Sequence, residues 1–311
     1  MKLNTSLQVA LLFPGQGAQK VGMGREFYET SPSAKAIFDQ ASQILGNDFK
    51  SVIFEGPAEK LTQTAFCQPA ILTMSVAGLK ALEAHPKFQN FTVRFAAGLS
   101  LGEYSALVAA GALTFGDALR LVERRAFFME EAAQLAKGSM AAVIGFDRDR
   151  LIAICSETGA EVANFNSPEQ IVITGPYEKV GEVCRRIQEE GAKSVLPLEV
   201  SGAFHSSLMQ PASRRFEGEL KKVSIQYCRI PVISNVHAQP HGGLGSIRRG
   251  LARQIVSSVR WEESVRYIAS QGITDFIEIG PGRVLKGLIR RIDSSLRVFN
   301  IEKPKDFESL P

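Results

Sequence analysis

The sequence predicts an α/β fold: a larger body organised on a parallel sheet, with a smaller α/β unit inserted into it. Three observations carry this expectation. Apolar runs at 7–13, 93–97 and 274–279 each pass straight into a glycine-bearing loop, as buried strands of an open α/β sheet do. Amphipathic stretches at helical spacing lie between them. From 138 to 205 the rhythm changes to strand, helix, strand, strand, helix, strand, which is the ferredoxin-like order in about 60 residues.

Taken in order, Leu7–Phe13 is the first strand and Pro14-Gly15-Gln16-Gly17 the loop after it. Ligand crevices of open α/β sheets form at the carboxyl ends of strands, so Gln16 is a candidate for the rim of a site; a plain strand-to-helix turn fits the same glycines. Residues 24–46 read as helical, with Phe27, Ala34, Ile37, Phe38, Ala41 and Leu45 on one stripe, a start signal at Ser31-Pro32 and a stop at Gly46-Asn47. A turn at 55–58 and the Gln68-Pro69-Ala70 segment lead to a core helix over 71–82.

The strand at 93–97 enters Gly98-Leu99-Ser100-Leu101-Gly102, which fits G-x-S-x-G. In that pattern a serine sits on a tight strand-to-helix turn, and its neighbours two residues away must be small for strand and helix to approach. Ser100 is thereby a candidate nucleophile and the larger body is α/β-hydrolase-like. From Glu103 onward Tyr104, Leu107, Val108 and Leu113 fall at helical spacing, so N–H groups at the start of this helix would face the serine, where an oxyanion could be held.

A long helix is expected over 115–136, with Arg125 displaced to one side of its apolar face. An arginine there is ordinarily solvent-exposed; its alternative use is bidentate binding of a carboxylate, which lysine performs poorly. The inserted unit then has strands at 140–146, 160–166, 170–175 and 193–200, helices at 149–158 and 177–191, and a hairpin turn at 166–169. Where it ends, Ser201-Gly202-Ala203-Phe204-His205-Ser206-Ser207 places His205 in a small-residue loop instead of on an apolar helical face, which favours a chemical role. His85, His237 and His241 read as solvated turn residues. The last third is again α/β, with strands at 231–235 and 274–279 and helices at 247–256, 263–271 and 284–292. The resulting division is 1–137 with 206–311 for the larger body and 138–205 for the insertion.

Composition excludes several classes. With 311 residues, 45% hydrophobic and 22% charged, the chain can bury a sizeable core. The net charge of +4 is scattered in doublets such as Arg124-Arg125 and Arg248-Arg249 without interleaved aromatics, so no nucleic-acid groove is expected. Four dispersed cysteines contain no C-x-x-C pair, against a zinc site or a disulfide framework. The N-terminal stretch lacks the h-region and cleavage site of a signal peptide, and no uninterrupted apolar run reaches the ~20 residues of a membrane span. A cytoplasmic protein without membrane association is expected.

Six stretches together resemble one family: LLFPGQGAQ at 11–19, GLSLGEYSALVAAG at 98–111, LVERRAFFMEEAA at 121–133, NFNSPEQIVITG at 164–175, GAFHSSLMQPA at 202–212 and EIGPGRVL at 278–285. In this order they are similar to the malonyl-CoA:acyl carrier protein transacylases of bacterial fatty-acid synthesis. The resemblance implies that Ser100 attacks the thioester of malonyl-CoA, that His205 takes and returns its proton, and that N–H groups of Gln16 and Leu101 hold the oxyanion. It also implies that Arg125 pairs with the malonyl carboxylate, that Phe204 limits the acyl group to malonyl, and that Gln254 orients His205 through a carbonyl oxygen in place of a triad aspartate. A solvated helix glutamine is the other reading of Gln254. The implied partners are malonyl-CoA and acyl carrier protein, whose phosphopantetheine supplies the accepting thiol; no metal or redox cofactor is implied, and a monomer is expected. Basic residues near Arg248, Arg249 and Lys286 are candidates for meeting an acidic carrier.

The family commonly reads G-H-S-x-G, and here Leu99 stands before the nucleophile. Three functions stay open from sequence: malonyl transfer, in fatty-acid or polyketide synthesis; a serine thioesterase or esterase using the same turn; and a non-catalytic binder of carrier protein.

Overall fold

The computed structural model describes residues 6–311; the first five, part of the stretch read for a signal peptide, lie outside the described residues. The chain begins with β1 (Leu7–Phe13), whose residues from Val9 to Phe13 are all buried. The stretch expected as one helical region is two helices, α1 (Arg25–Thr30) and α2 (Pro32–Leu45), because Ser31 between them is extended and its side chain caps Ala34 while Pro32 takes the first turn. Two short helices unread in the sequence follow, α3 (Asp48–Glu55) and α4 (Ala58–Thr62). The core helix α5 (Thr64–Glu83) starts seven residues earlier than the sequence suggests, with Pro69 inside it. Proline forfeits one backbone bond there, and burial of the helix from Cys67 to Leu79 outweighs that loss. Its length and apolar composition would suffice for a membrane span, but 83% of the most apolar window is buried within the protein.

Strand β2 (Phe91–Gly98) leads into α6 (Gly102–Ala109), followed by the long α7 (Phe115–Leu135). The middle of the chain contains β3 (Gly138–Ile144), α8 (Arg148–Thr158), β4 (Glu161–Ser167), β5 (Gln170–Pro176), α9 (Tyr177–Glu189) and β6 (Ser194–Pro197). After it come α10 (Gln210–Leu220), α11 (Leu244–Gln254), α12 (Trp261–Ser270), β7 (Asp275–Ile279), α13 (Val284–Ile292) and β8 (Arg297–Ile301). The segment expected as a strand at 231–235 makes only an isolated parallel bridge, Val232 to Ala96; α10 and β8 have no counterpart in the sequence reading.

By packing, the chain forms two compact units. One runs to Glu123 and includes Ser224–Ile233 and Tyr267–Pro311; the other comprises Arg124–Val223 and Ser234–Arg266. The inserted segment read at 138–205 lies inside the second unit. In the first unit the sheet order is β2-β1-β7-β8 and every pair is parallel. Its central strands are buried on both faces, which explains their continuous apolar runs. Buried Glu278 of β7 accepts from the N–H groups of Leu285 and Lys286, both at 2.9 Å, and so caps α13.

In the second unit the order is β4-β5-β3-β6 with antiparallel neighbours, the ferredoxin-like arrangement. Leu151, Ile154, Val180, Val183 and Ile187 from α8 and α9 pack on Ala141, Val143, Ile171 and Ile173 of the strands. The free edge of β4 is met by the segment after α11, through bonds from Phe165 N to Val259 O and from Val259 N to Ala163 O.

Candidate active site

In the first unit, β2 ends at Gly98 and α6 starts at Gly102, with Ser100 on the turn between them at φ 50°. This left-handed backbone costs a non-glycine residue about 1–2 kcal/mol, so the surroundings must impose it. Close main-chain contact does so. A Cβ at Gly98 would lie 2.0 Å from the carbonyl carbon of Gly102, and one at Gly102 would lie 2.1 Å from the carbonyl oxygen of Phe13. The Leu99 N–H donates to Phe13 O at 3.1 Å, tying the turn to the end of β1.

The loop after β1 lies against the same turn, since a Cβ at Gly15 would meet Leu99 O at 2.5 Å. Gln16 follows, half-buried, and its Oε1 accepts from Gln68 Nε2 at 3.2 Å. Gln68 is almost fully buried on α5 and was not singled out from sequence, although a glutamine within an otherwise apolar helix is the signal that could have found it. Leu101, buried, stands at the N-cap of α6. Cys67 sits one residue before Gln68, and burial pushes its thiol up to about 12, which keeps it un-ionised.

In the second unit, His205 is 5% exposed and holds φ 61°. Its Nδ1 lies 2.8 Å from the main-chain carbonyl of Gln254. A carbonyl only accepts, so Nδ1 carries the hydrogen and Nε2 is left as the basic nitrogen of a neutral ring. Burial, with a smaller contribution from the charge of Arg125, lowers the ring's pKa from 6.5 to about 4 and keeps it neutral near pH 7.

Gln254 is fully buried, so the solvated reading is corrected. Its main-chain oxygen meets the histidine, while its side-chain Oε1 accepts from Arg125 Nη2 at 3.1 Å and its Nε2 donates to Asn235 Oδ1 at 3.4 Å. One residue therefore holds both the imidazole and the guanidinium. Arg125, 1% exposed on α7, is not the surface arginine its residue type favours. Phe204 is buried immediately before the histidine. Asn235 was also missed: it ends the segment taken for a strand, where an asparagine reads as the beginning of a polar loop.

His205 lines a cavity of about 530 Å³ together with Glu161, Phe165, Val256, Ser257 and Ser258. Of the other histidines, only His237 is exposed. His85 is half-buried, accepts from Lys87 N and lies against Phe307, and half-buried His241 packs against Gly250, so the solvated expectation is corrected for both. Arg248 donates to the carbonyls of Leu220 and Val223, fixing the end of α10. Among the described residues, no group of three or more His, Cys, Asp or Glu side chains could hold a metal ion, and all four cysteines are free.

A parallel sheet carrying a glycine-bracketed serine turn, with a ferredoxin-like sheet in the same chain, defines an α/β-hydrolase-like protein with a second, ferredoxin-like part. Comparison with known proteins narrows this class. Residues 10–302 match the family described as acyl transferase domain. The malonyl CoA-acyl carrier protein transacylase of Bacillus subtilis (strain 168) is 44% identical over 306 residues, spanning 97% of this chain and 95% of that protein. The solved structure of the malonyl CoA-acyl carrier protein transacylase from Coxiella burnetii is 38% identical, with a TM-score of 0.93 over 98% of each chain. A malonyl-transacylase solved in complex with its type II polyketide acyl-carrier protein is 37% identical, with a TM-score of 0.93 over 98% of this chain and 99% of that one. The chain belongs to the acyl transferase family.

Proposed function

We propose that this protein is a malonyl-CoA:acyl carrier protein transacylase, moving malonyl from coenzyme A to the phosphopantetheine thiol of a carrier protein for fatty-acid synthesis. Relatives of that printed name at 38–44% identity over nearly the full chain support the reading. So does the single observation on which its chemistry rests, the double grip of Gln254 on His205 and Arg125.

His205 Nε2 removes the hydroxyl proton of Ser100 as the oxygen attacks the thioester carbonyl. The resulting oxyanion is held by the main-chain N–H groups of Gln16 and Leu101. Its collapse breaks the carbon–sulfur bond, the imidazolium returns the proton to the thiolate, and coenzyme A leaves behind a malonyl-serine ester. In the second half-reaction the carrier's thiol loses its proton to His205 and takes the acyl group, regenerating Ser100. Every bond made is matched by one broken, so the two steps require no metal or redox group.

Arg125 pairs with the free carboxylate of the malonyl group. A buried guanidinium whose orientation Gln254 fixes distinguishes malonyl from acetyl by about 2 to 5 kcal/mol. Phe204 bounds the acyl pocket against an added methyl. The boundaries we assign are 138–205 for the ferredoxin-like subdomain and the rest for the catalytic body, in a cytoplasmic monomer. Service to a polyketide carrier is the second reading, favoured by the likeness to a malonyl-transacylase solved with such a carrier.

Intact-mass analysis after incubation with malonyl-CoA tests the proposal. One malonyl adduct is expected in the wild-type protein and none in Ser100→Ala; an adduct that survives this substitution removes Ser100 from the role.

A further inference from the structure

The reading of His205 as the base leaves open what holds its backbone left-handed. The histidine's main chain is held on both sides by side chains to which the sequence patterns assign no role. Thr174, fully buried on β5, donates its hydroxyl to the carbonyl oxygen of Phe204 at 2.9 Å. That oxygen belongs to the peptide joining Phe204 to His205, whose plane sets φ of the histidine. Ser206 donates its hydroxyl to Ala203 O at 2.6 Å, closing the turn across His205. On the far side, Glu161 Oε1 accepts both the N–H and the hydroxyl of Ser207, at 2.9 and 2.6 Å.

We infer that Thr174 and Glu161 are positioning residues for the acyl-transfer reaction: Thr174 locks the peptide that enters His205 and Glu161 the Ser206–Ser207 peptide just beyond it, so that the histidine's Nδ1 meets the carbonyl of Gln254. The inference rests on the proposed role of His205 but concerns different residues. A residue at φ 61° lies in a sparsely populated region and relaxes toward the ordinary one when its flanking peptides are released. Relaxation swings the ring away from Gln254 O and misaims Nε2. Malonyl binding through Arg125 does not depend on that peptide plane, so the effect falls on turnover and spares substrate affinity.

Thr174→Val keeps the shape of the side chain and removes the hydroxyl. The expected result is a fall in kcat of about tenfold with KM for malonyl-CoA within about twofold of wild type, the scale of a small misplacement of a reacting group. Thr174→Ser, which retains the donor, restores kcat. In parallel, the exchange-protected Nδ1–H proton resonance of His205, assigned by its absence in His205→Gln, is expected in the wild type and in Thr174→Ser and lost in Thr174→Val. That readout requires no catalysis, so it separates failure of the clamp from failure of the base assignment: His205→Gln with wild-type transfer sinks the latter alone. Thr174→Val with wild-type kcat and an unchanged resonance overturns the clamp. If Thr174→Val does not fold, half-exposed Glu161→Ala decides instead: a fall in kcat of about two- to fivefold with a weakened resonance supports the clamp, and no change overturns it.

Discussion

Ser100 and His205 both hold left-handed backbone, at φ 50° and 61°, but by different means. In the first unit the conformation is imposed by main chain on main chain, where Gly98, Gly102 and Gly15 permit contacts that any Cβ would block. In the second unit the loop also sits tightly, since a Cβ at Gly202 would meet that of Ala133 at 2.5 Å, yet the peptides from Ala203 to Ser207 are held by side-chain donors and acceptors, Thr174, Ser206 and Glu161. Backbone packing is all-or-none, whereas hydrogen bonds can be removed one at a time. The Ser100 turn is thus expected to be intolerant of change around it and the His205 loop to be tunable.

The largest effect that could break this comparison is at the elbow. Gly102→Ala is expected to destabilise the protein by about 4 kcal/mol or more, because the new methyl overlaps the Phe13 carbonyl and no flexible side chain is there to yield. Chemical denaturation measures it, and a loss below about 1 kcal/mol would show that the elbow can relax as the histidine loop does. Next comes Arg125→Ala, expected to erase about 2 to 5 kcal/mol of preference for malonyl over acetyl thioesters, read from the ratio of the two kcat/KM values. Unchanged selectivity would take Arg125 out of acyl recognition.

Protonation sharpens the contrast further. The folded-state pKa of His205 is depressed to about 4 from 6.5, so its contribution to stability is complete above pH 6.5 and declines as pH falls toward 4. Glu278 in the first unit runs the other way. Burial outweighs its two N–H bonds and raises its pKa from 4.5 to about 7, so stability is lost as pH climbs through that window. Each limb is worth about 1.4 kcal/mol per pH unit, and between 4.5 and 6.5 the two nearly cancel. Melting temperatures should therefore stay nearly level between pH 4.5 and 6.5 in the wild type and fall across that interval in His205→Gln, where only the Glu278 slope remains. A profile parallel to that of the wild type would contradict the assignment.

The smallest effect expected is at Leu99. Its main chain fixes the elbow and its side chain is half-buried beside Gly15, so Leu99→His should alter kcat by less than about fivefold, leaving the malonyl-to-acetyl ratio unchanged.

The same contrast explains what the sequence made legible. Close backbone contact requires glycine at fixed spacing, so the Ser100 turn is written as a local pattern. The ferredoxin-like order was equally legible, because each strand and helix has its own periodicity. Thr174 and Glu161 act over 30 and 46 residues of separation, and although Thr174 lies in one of the recognised stretches, neither a threonine nor a glutamate in a strand has a spacing that reveals a distant partner. Gln68 and Asn235 each serve another polar side chain instead of the reaction, and of the two only Gln68, polar within an apolar helix, carried a signal in the sequence. The burial of Arg125 depends on tertiary packing, which helical periodicity around an arginine does not reveal. The strand β8 was missed for a related reason: it opens on Arg297 and is interrupted by Asn300, so it lacks the continuous apolar character of the end of β1.

Discharge of the malonyl-serine ester to a carrier thiol or to water separates acyl transfer from hydrolysis. With the adduct isolated and holo-carrier protein added, the adduct is expected to disappear and malonyl-carrier to appear stoichiometrically by intact mass. Free malonate released at the same rate with or without holo-carrier, and no malonyl-carrier formed, would contradict acyl transfer and assign the chain to hydrolysis.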